Sequence, residues 1–147
     1  MEKYIIFFYK TSSDKEIIME FIEKLDDQTG AKVKNGINLL RLYGLTLINT
    51  PWIKKINKKY SIYELRIKTN LTIRLLFFFL KPKTFVIVHI FIKKTNKLPQ
   101  KELNLAIKRT REFIWHYNNF VIIYFYEKKA NHIINSLGRR RKAFIKK

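Results

Sequence analysis

Three apolar runs between residues 61 and 92 constrain the fold of this chain more than any other feature. They are SIYELRI (Ser61–Ile67), TIRLLFFFL (Thr72–Leu80) and TFVIVHIFI (Thr84–Ile92). Each has the length and the β-branched and aromatic content that are typical of a strand. Only the short connections KTNL and KPK separate them, which leaves no room for a crossover. Consecutive strands should therefore pair antiparallel, as a meander.

The residues before the meander predict one strand and the start of a helical region. KYIIFFYK (Lys3–Lys10) has the pattern of a strand that is buried on nearly both faces. Ser13 and Glu16 have the spacing of a capping box for a first helix. The turn-forming sequence DDQTG is expected to end this helix at Gly30.

The remaining segments complete a small mixed domain. A second helix is expected from Ala31 to Tyr43, and the lysine-rich segment Leu45–Tyr60 is expected to be a loop. Pro99 suits the first turn of a further helix after the meander. The predicted fold class is α+β, with an antiparallel-dominated sheet, two N-terminal helices and a C-terminal helix packed on it. We place this domain at residues 1–115, followed by a basic C-terminal extension at 116–147.

The formal net charge of +20 is unevenly distributed along the chain. Residues 1–63 hold 11 Lys/Arg and 7 Asp/Glu, whereas residues 64–147 hold 20 Lys/Arg and 4 Asp/Glu. Such a field attracts polyanions, so nucleic acid, the ribosome, an anionic membrane or an acidic protein would each satisfy it. The codon bias of an AT-rich genome supplies lysines, but it explains neither the arginines nor the asymmetry.

The chain contains no cysteine, which excludes disulfides and thiolate metal sites and is consistent with a reducing compartment. Its apolar runs are too short to span a bilayer. We therefore expect a cytoplasmic protein without a membrane partner.

The first hairpin of the meander brings two arginines together. If the turn is centred near Asn70, Arg66 and Arg74 lie directly opposite each other. Like charges in this position destabilise a sheet, unless an anion lies between them. The alternatives are that these arginines are solvated or paired with Glu64.

The second hairpin extends the cluster, if Leu80 pairs with Phe85 across KPKT. Side chains alternate along a strand, so one face would then hold five residues, although a one-residue slip would undo the arrangement. The residues on this face are Arg66, Arg74, His89, Phe91 and Lys93.

This cationic face suits RNA cleavage, because arginine and lysine neutralise a scissile phosphate and its transition state. The 2′-hydroxyl of RNA can itself be the nucleophile, so the chemistry requires no metal or other cofactor. His89 could move a proton near neutral pH, but a histidine in an apolar strand is more often a satisfied core residue. Lys93 and Lys94 could equally protect the sheet edge. His116 and His132 lack nearby ligand-type residues, so no metal site is predicted.

Several of these segments resemble one known family. YELRI, IRLLFFF and FVIVHIFIKKTNKLPQKELNLAIKR are similar to the HigB-like, phage-derived toxins of the RelE/ParE superfamily. That family typically has a (W/Y)ELR strand, an R-I-L-Y-F strand and an H-x-F-x-K-K-T-x-K-(T)-P-x-x-E segment. The resemblance covers about residues 4–115, and the KKT.K.P..E...A..R spacing is its specific part.

The resemblance implies a RelE-like fold and the toxin of a type II toxin–antitoxin system. It implies a metal-independent, ribosome-dependent mRNA endoribonuclease, or mRNA interferase, that cuts translated mRNA until a cognate helix-turn-helix antitoxin binds it. No cofactor is implied. The candidate catalytic residues are Arg66, Arg74, Lys93, Lys94 and, from the face described above, His89. The candidate RNA-binding residues are Lys54, Lys55, Thr95 and Lys97.

Two other functions stay open: a ParE-like gyrase-binding toxin and a catalytically inactive RNA- or ribosome-binding protein. A membrane-surface role ranks behind them, because the basic helix after Pro99 has a core-like apolar face.

The segment 116–147 extends past the resemblance. Its FVIIYFYEK is similar to the opening KYIIFFYK, so it could begin a duplicated copy, add an edge strand or be translated non-coding DNA. The ending GRRRKAFIKK is expected to be a mobile cationic end with nonspecific RNA affinity.

Overall fold

The computed structural model describes residues 3–145, with side chains for residues 3–120, Lys128 and Lys129. The chain divides into two compact units, residues 1–111 and 112–147. In chain order the elements are β1 (Ile5–Phe8), α1 (Ile17–Glu23), α2 (Asp27–Tyr43), a 3-10 turn (Gly44–Leu47), β2 (Ile53–Asn57), β3 (Ile62–Lys68), β4 (Thr72–Lys81), β5 (Thr84–Ile92) and α3 (Gln100–Ile145).

The strands of the described residues form one sheet in the order β1-β5-β4-β3-β2. β1 is parallel to β5, and every other pair is antiparallel. The predicted meander and the α+β class are thus confirmed. The prediction of a loop at Leu45–Tyr60 is wrong in its second half, because β2 lies there and forms an edge of the sheet. Lys54 and Lys55 are therefore strand residues.

The predicted strand register is confirmed around Arg66, Arg74 and His89. Arg66 pairs with Arg74, Arg74 pairs with Phe91, and Leu76 pairs with His89. Arg66, Arg74, His89 and Phe91 therefore share one face of the sheet, as the sequence predicted.

Two irregularities near the second turn make the predicted pairing of Leu80 with Phe85 wrong. Phe79 pairs with Phe85, because Leu80 is an extra residue on β4. Val88 is an extra residue on β5, just before His89. The two insertions lie on opposite strands, so they cancel and restore the predicted register beyond them. A bulge also re-aims the side chains that follow it, which turns His89 away from the core face that Phe85 occupies.

The first strand is an edge strand, so the prediction that it is buried on nearly both faces is wrong. Ile5 is 54% exposed and Phe7 is 45% exposed. Ile6 and Phe8 point to the other face and pack against the core. Since only this second face of β1 packs against the core, exposed and partly buried side chains alternate along the strand.

The predicted capping box and helix break are also wrong. Glu16, and not Ser13, is the N-cap of α1, and it makes no side-chain capping bond; its carboxylate pairs with Lys10 at 3.5 Å. α2 begins earlier than expected, since the Asp26 carboxylate accepts a hydrogen bond of 2.8 Å from the Thr29 amide. Hydrogen bonding by the Thr29 side chain, followed by this amide bond, lowers the pKa of Asp26. Gly30 consequently lies inside α2.

The main core lies between the sheet and helices α1 and α2. Val33, Ile37 and Leu40 form the buried stripe of α2. At Gly36 this helix lies close to β3, because a Cβ atom there would be 2.8 Å from Ile67 Cδ1. The glycine allows α2 to pack directly on the strand that carries Arg66.

The first turns of α3 pack on the opposite face of the sheet. Arg109 Nη1 donates a hydrogen bond of 3.0 Å to the Val88 carbonyl, and Ala106 and Thr110 are buried. The expected C-terminal helix on the sheet is confirmed.

The helix α3 continues to Ile145. Phe120–Lys128 is therefore helical, and the edge-strand alternative for this segment is wrong. The expected mobile cationic end, GRRRKAFIKK, lies outside the residues whose side chains are described. The domain boundary at residue 115 stays a prediction.

Candidate nucleic-acid interface

Two arginines face each other across β3 and β4, with a buried carboxylate beside them. Glu64 lies two residues before Arg66 and so shares its face of the strand. The Glu64 Oε1 atom is 2.8 Å from Arg66 Nε and 3.4 Å from Arg74 Nε, and Glu64 is only 2% exposed. The structure thus shows the alternative in which the two arginines pair with Glu64. One carboxylate leaves two guanidinium groups with a net positive charge.

Arg74 is the more deeply held of the two arginines. Its side chain is 12% exposed, against 33% for that of Arg66, and its Nη1 donates to the Ile73 carbonyl at 3.2 Å. Burial lowers the pKa of Arg74, the Glu64 carboxylate raises it, and the charge of Arg66 lowers it. An arginine still remains protonated at neutral pH. The sheet therefore fixes an incompletely neutralised cation, which is suited to binding an anionic oxygen.

A groove of about 620 Å³ opens beside this pair, between α2 and the end of the β3–β4 hairpin. We call it the arginine groove. Gly36 and Ile67, which touch where the helix meets the strand, both line it. Among the described residues, no Asp or Glu lines the groove. Its polar and aromatic side chains are Lys32, Asn35, Trp52, Arg66, Lys68, Thr72 and Arg74.

The basic segment after β5 begins at the rim of this groove. The Lys93 amide donates a hydrogen bond of 2.7 Å to the carbonyl of Thr72, a groove residue. Lys94, Thr95 and Lys97 are exposed on the turn that follows, where the Thr95 hydroxyl donates to the Lys97 carbonyl at 2.8 Å. The structure thus brings Lys93 next to the arginine pair in the sheet and places the other three on the adjoining turn.

Lys54 and Lys55 point to opposite faces of β2, as neighbours on a strand must. Lys54 pairs with Glu64 and so belongs to the face of the arginines. Lys55 pairs with Tyr63, and its Nζ atom lies 5.7 Å from the centre of that ring. The geometry therefore favours Lys54 over Lys55 as an RNA contact on this face.

His89 does not line the arginine groove and is bonded to α3 instead. Its Nε2 atom is hydrogen-bonded to the Glu102 carboxylate, and its Nδ1 atom is 3.0 Å from Arg109 Nη1. Because a guanidinium can only donate, Nδ1 accepts, and Nε2 carries the proton that is donated to Glu102. Burial lowers the pKa of His89, while its bond to Glu102 raises it and Arg109 lowers it. This geometry favours the core-histidine alternative, in which His89 joins β5 to α3.

The sequence analysis missed Lys32, Trp52 and Lys68. Trp52 was assigned to a loop, so its position beside Arg66 was not apparent. For Lys32 there was a signal in Gly36, because a glycine inside a helix often marks a close approach to another element. In the described part of the chain, no group of three or more His, Asp or Glu side chains converges to hold a metal ion.

Comparison with protein families places the chain in a known family. The family model described as phage derived protein Gp49-like matches residues 20–111, a range that includes every residue lining the arginine groove. The chain belongs to the Gp49-like family. This family is a type II toxin–antitoxin family of RelE/HigB-like proteins. Comparison with curated proteins gives no significant match.

Family membership fits a small α+β domain and suggests an antitoxin as partner. Of the helices in the described part of this Gp49-like chain, none has both the length and the apolar character that crossing a bilayer requires.

Proposed function

We propose that this Gp49-like protein is the toxin of a type II system and cuts mRNA on the ribosome. The observation that carries the proposal is the Arg66–Arg74 pair, which a buried carboxylate holds in place at a groove lined by cations. The family supports the toxin class. Such an mRNA interferase would act in the cytoplasm, where the ribosomes are, and would inhibit translation.

The chemistry is an internal transfer within the RNA. The 2′-oxygen forms a bond to the phosphorus as the bond to the 5′-oxygen breaks, which leaves a 2′,3′-cyclic phosphate and a 5′-hydroxyl. One proton leaves the 2′-hydroxyl and one reaches the 5′-oxygen. Negative charge accumulates on the phosphoryl oxygens, so fixed cations stabilise the transition state more than the ground state.

The residues at the groove have distinct proposed roles in this reaction. Arg66 and Arg74 bind the non-bridging oxygens of the scissile phosphate, and they supply charge but transfer no proton because arginine stays protonated. Lys93 and Lys94 add positive charge at the rim. The candidates for binding the flanking RNA are Lys54, Lys55, Thr95 and Lys97.

The proposed protein partner is a cognate helix-turn-helix antitoxin. The cationic surface calls for an acidic or otherwise complementary antitoxin segment, because like charges across an interface are strongly unfavourable. Binding over the arginine groove would exclude mRNA from it.

The test maps new mRNA 5′ ends in a purified translation reaction with and without ribosomes. The wild-type chain is expected to cut within translated codons only when ribosomes are present. Arg66→Ala is expected to lower the cleavage rate by about 100-fold, and Arg74→Lys by a smaller factor, because one fixed donor is lost or reshaped. Lys59→Ala removes an exposed lysine outside the groove and is the matched control.

The absence of cuts by a folded wild-type chain would reject the interferase proposal. Gyrase-dependent DNA breaks in cells that overexpress the chain would then indicate the ParE-like alternative, and normal growth of those cells would indicate an inactive binding protein.

A further inference from the structure

Trp52 is an exposed aromatic side chain that the fold leaves beside the arginine pair. It is 43% exposed and lines the arginine groove together with four cationic residues. Tryptophan exposes a large apolar ring, which a folded chain usually buries. Its exposure in a groove with no lining carboxylate among the described residues points to a ligand that is both flat and anionic.

The backbone holds Trp52 at a fixed position relative to Arg66. The Arg66 amide donates a hydrogen bond of 2.8 Å to the Trp52 carbonyl, which extends the pairing of β2 with β3 by one residue. The Trp52 amide donates to the Thr50 hydroxyl at 3.2 Å, and Pro51 restricts the preceding backbone. Trp52 therefore lies opposite Arg66, and Arg66 lies opposite Arg74, in one row across the end of the sheet.

Two lysines place charge farther along the same groove. Lys32 lies on α2, one turn before Gly36, and Lys68 ends β3. Both are exposed, and both line the groove. A ligand that follows the groove would thus meet cations from the helix as well as from the sheet, together with the indole ring of Trp52.

A single RNA strand has the chemistry that matches this arrangement. An unpaired base presents a flat face on which an indole can stack, and the phosphates on either side of it carry the negative charge. A duplex keeps its bases stacked inside, so it could use the cations but not the tryptophan. An acidic peptide would use the cations alone.

We propose that Trp52 is the base-stacking platform of a single-stranded RNA site in the arginine groove. Lys32 and Lys68 contact the phosphates that flank the nucleotide held at Arg66 and Arg74. The inference rests on the proposed function for the identity of the RNA as substrate, but stacking on Trp52 can be measured without cleavage.

Tryptophan fluorescence tests the proposal directly, because the chain has two tryptophans. In the full-length Trp115→Phe variant, Trp52 is the remaining one. A short single-stranded oligoribonucleotide is titrated into this variant, in parallel with an abasic oligomer of the same length and charge. The RNA is expected to quench the emission and to bind about 5- to 150-fold more tightly than the abasic oligomer, since stacking on one base has this magnitude.

Substitution of Trp52 provides a second test of the stacking site. Trp52→Ala is expected to bind RNA as weakly as the wild-type chain binds the abasic oligomer, whereas Trp52→Phe, which keeps an aromatic face, retains most of the affinity. Circular dichroism checks that the variants are folded. Equal RNA affinity of Trp52→Ala and wild type, or saturating binding without quenching, would overturn the proposal.

The cleavage assay separates this inference from the proposed function. Quenching by RNA together with no ribosome-dependent cleavage would keep the stacking site and reject the interferase. Cleavage by the wild-type chain without quenching would keep the interferase and reject the stacking site.

Discussion

Glu64 is the side chain on which the geometry of the arginine pair depends. It is almost completely buried, and its Oε1 atom lies within 3.4 Å of both arginine Nε atoms. Two guanidinium groups directly opposite each other would repel. The carboxylate therefore stabilises the fold and also orients the groups that we propose bind phosphate.

Glu64→Gln keeps the shape of this side chain and removes its charge. We expect the free energy of unfolding to fall by about 2 kcal/mol, because Arg66 loses a charge-assisted hydrogen bond and the arginine charges are left uncompensated. Urea denaturation measures the change. Glu23→Gln alters an exposed carboxylate on α1 and should stay within about 0.5 kcal/mol of wild type. Equal losses in the two variants would contradict this role for Glu64.

We expect His89 to make the free energy of unfolding depend on pH, because its pKa is lowered in the folded chain. Burial lowers its pKa in the folded chain below the unfolded value of about 6.5, so between these values the unfolded state binds a proton that the folded state does not. Its contribution is fully present above about pH 6.5 and is lost as the pH falls through the folded pKa, by at most about 1.4 kcal/mol per pH unit. Protonation would also place a donor at Nδ1 against Arg109, while Glu102 would partly offset this cost.

Urea midpoints of wild type and His89→Gln between about pH 7.5 and 5 check the expectation. The wild-type curve should fall more steeply than that of the variant, in which other groups titrate unchanged. Parallel curves would show that His89 does not cause the pH dependence of stability.

At the level of elements, the sequence predicts the meander well because its short connections allow one arrangement. β2 was missed because Lys54 and Lys55 interrupt the apolar pattern, as charged residues on edge strands often do. The paired bulges at Leu80 and Val88 leave no signal in the alternation of a strand that is apolar throughout. The register of Arg74 with Phe91 was predicted correctly only because the two bulges cancel.

The contact of α2 with β3 can be tested at Gly36. Gly36→Val is expected to lower the free energy of unfolding by about 2 kcal/mol, because its side chain would be forced against buried Ile67. Gly30→Ala, in the same helix, is the control. A Cβ there is in ordinary contact with the Ile22 carbonyl at 3.5 Å, so this variant should gain up to about 1 kcal/mol from helix propensity. Destabilisation by both variants in chemical denaturation would contradict a specific close approach at Gly36.

For the whole molecule, a charge of +20 predicts that any polyanion is attracted, and this general attraction conceals where binding occurs. From its charge the sequence predicts an anionic partner, and from strand register it predicts that Arg66 and Arg74 pair. It could not identify Lys32 or Trp52, because they join the site only when α2 and β2 have packed beside β3. The groove is a tertiary feature formed by residues from four segments.

The salt dependence of RNA affinity distinguishes binding in the arginine groove from attraction to the net charge of the chain. Each phosphate contact to a single strand contributes about 0.7 to the slope of log affinity against log salt. Lys32→Gln/Lys68→Gln should therefore reduce the slope for a short single-stranded RNA by about 1.4. The charge-matched control is Lys34→Gln/Lys59→Gln, which changes exposed lysines that do not line the groove and should reduce the slope much less. Equal reductions would mean that RNA senses only the net charge, and that the two groove lysines make no phosphate contact of their own.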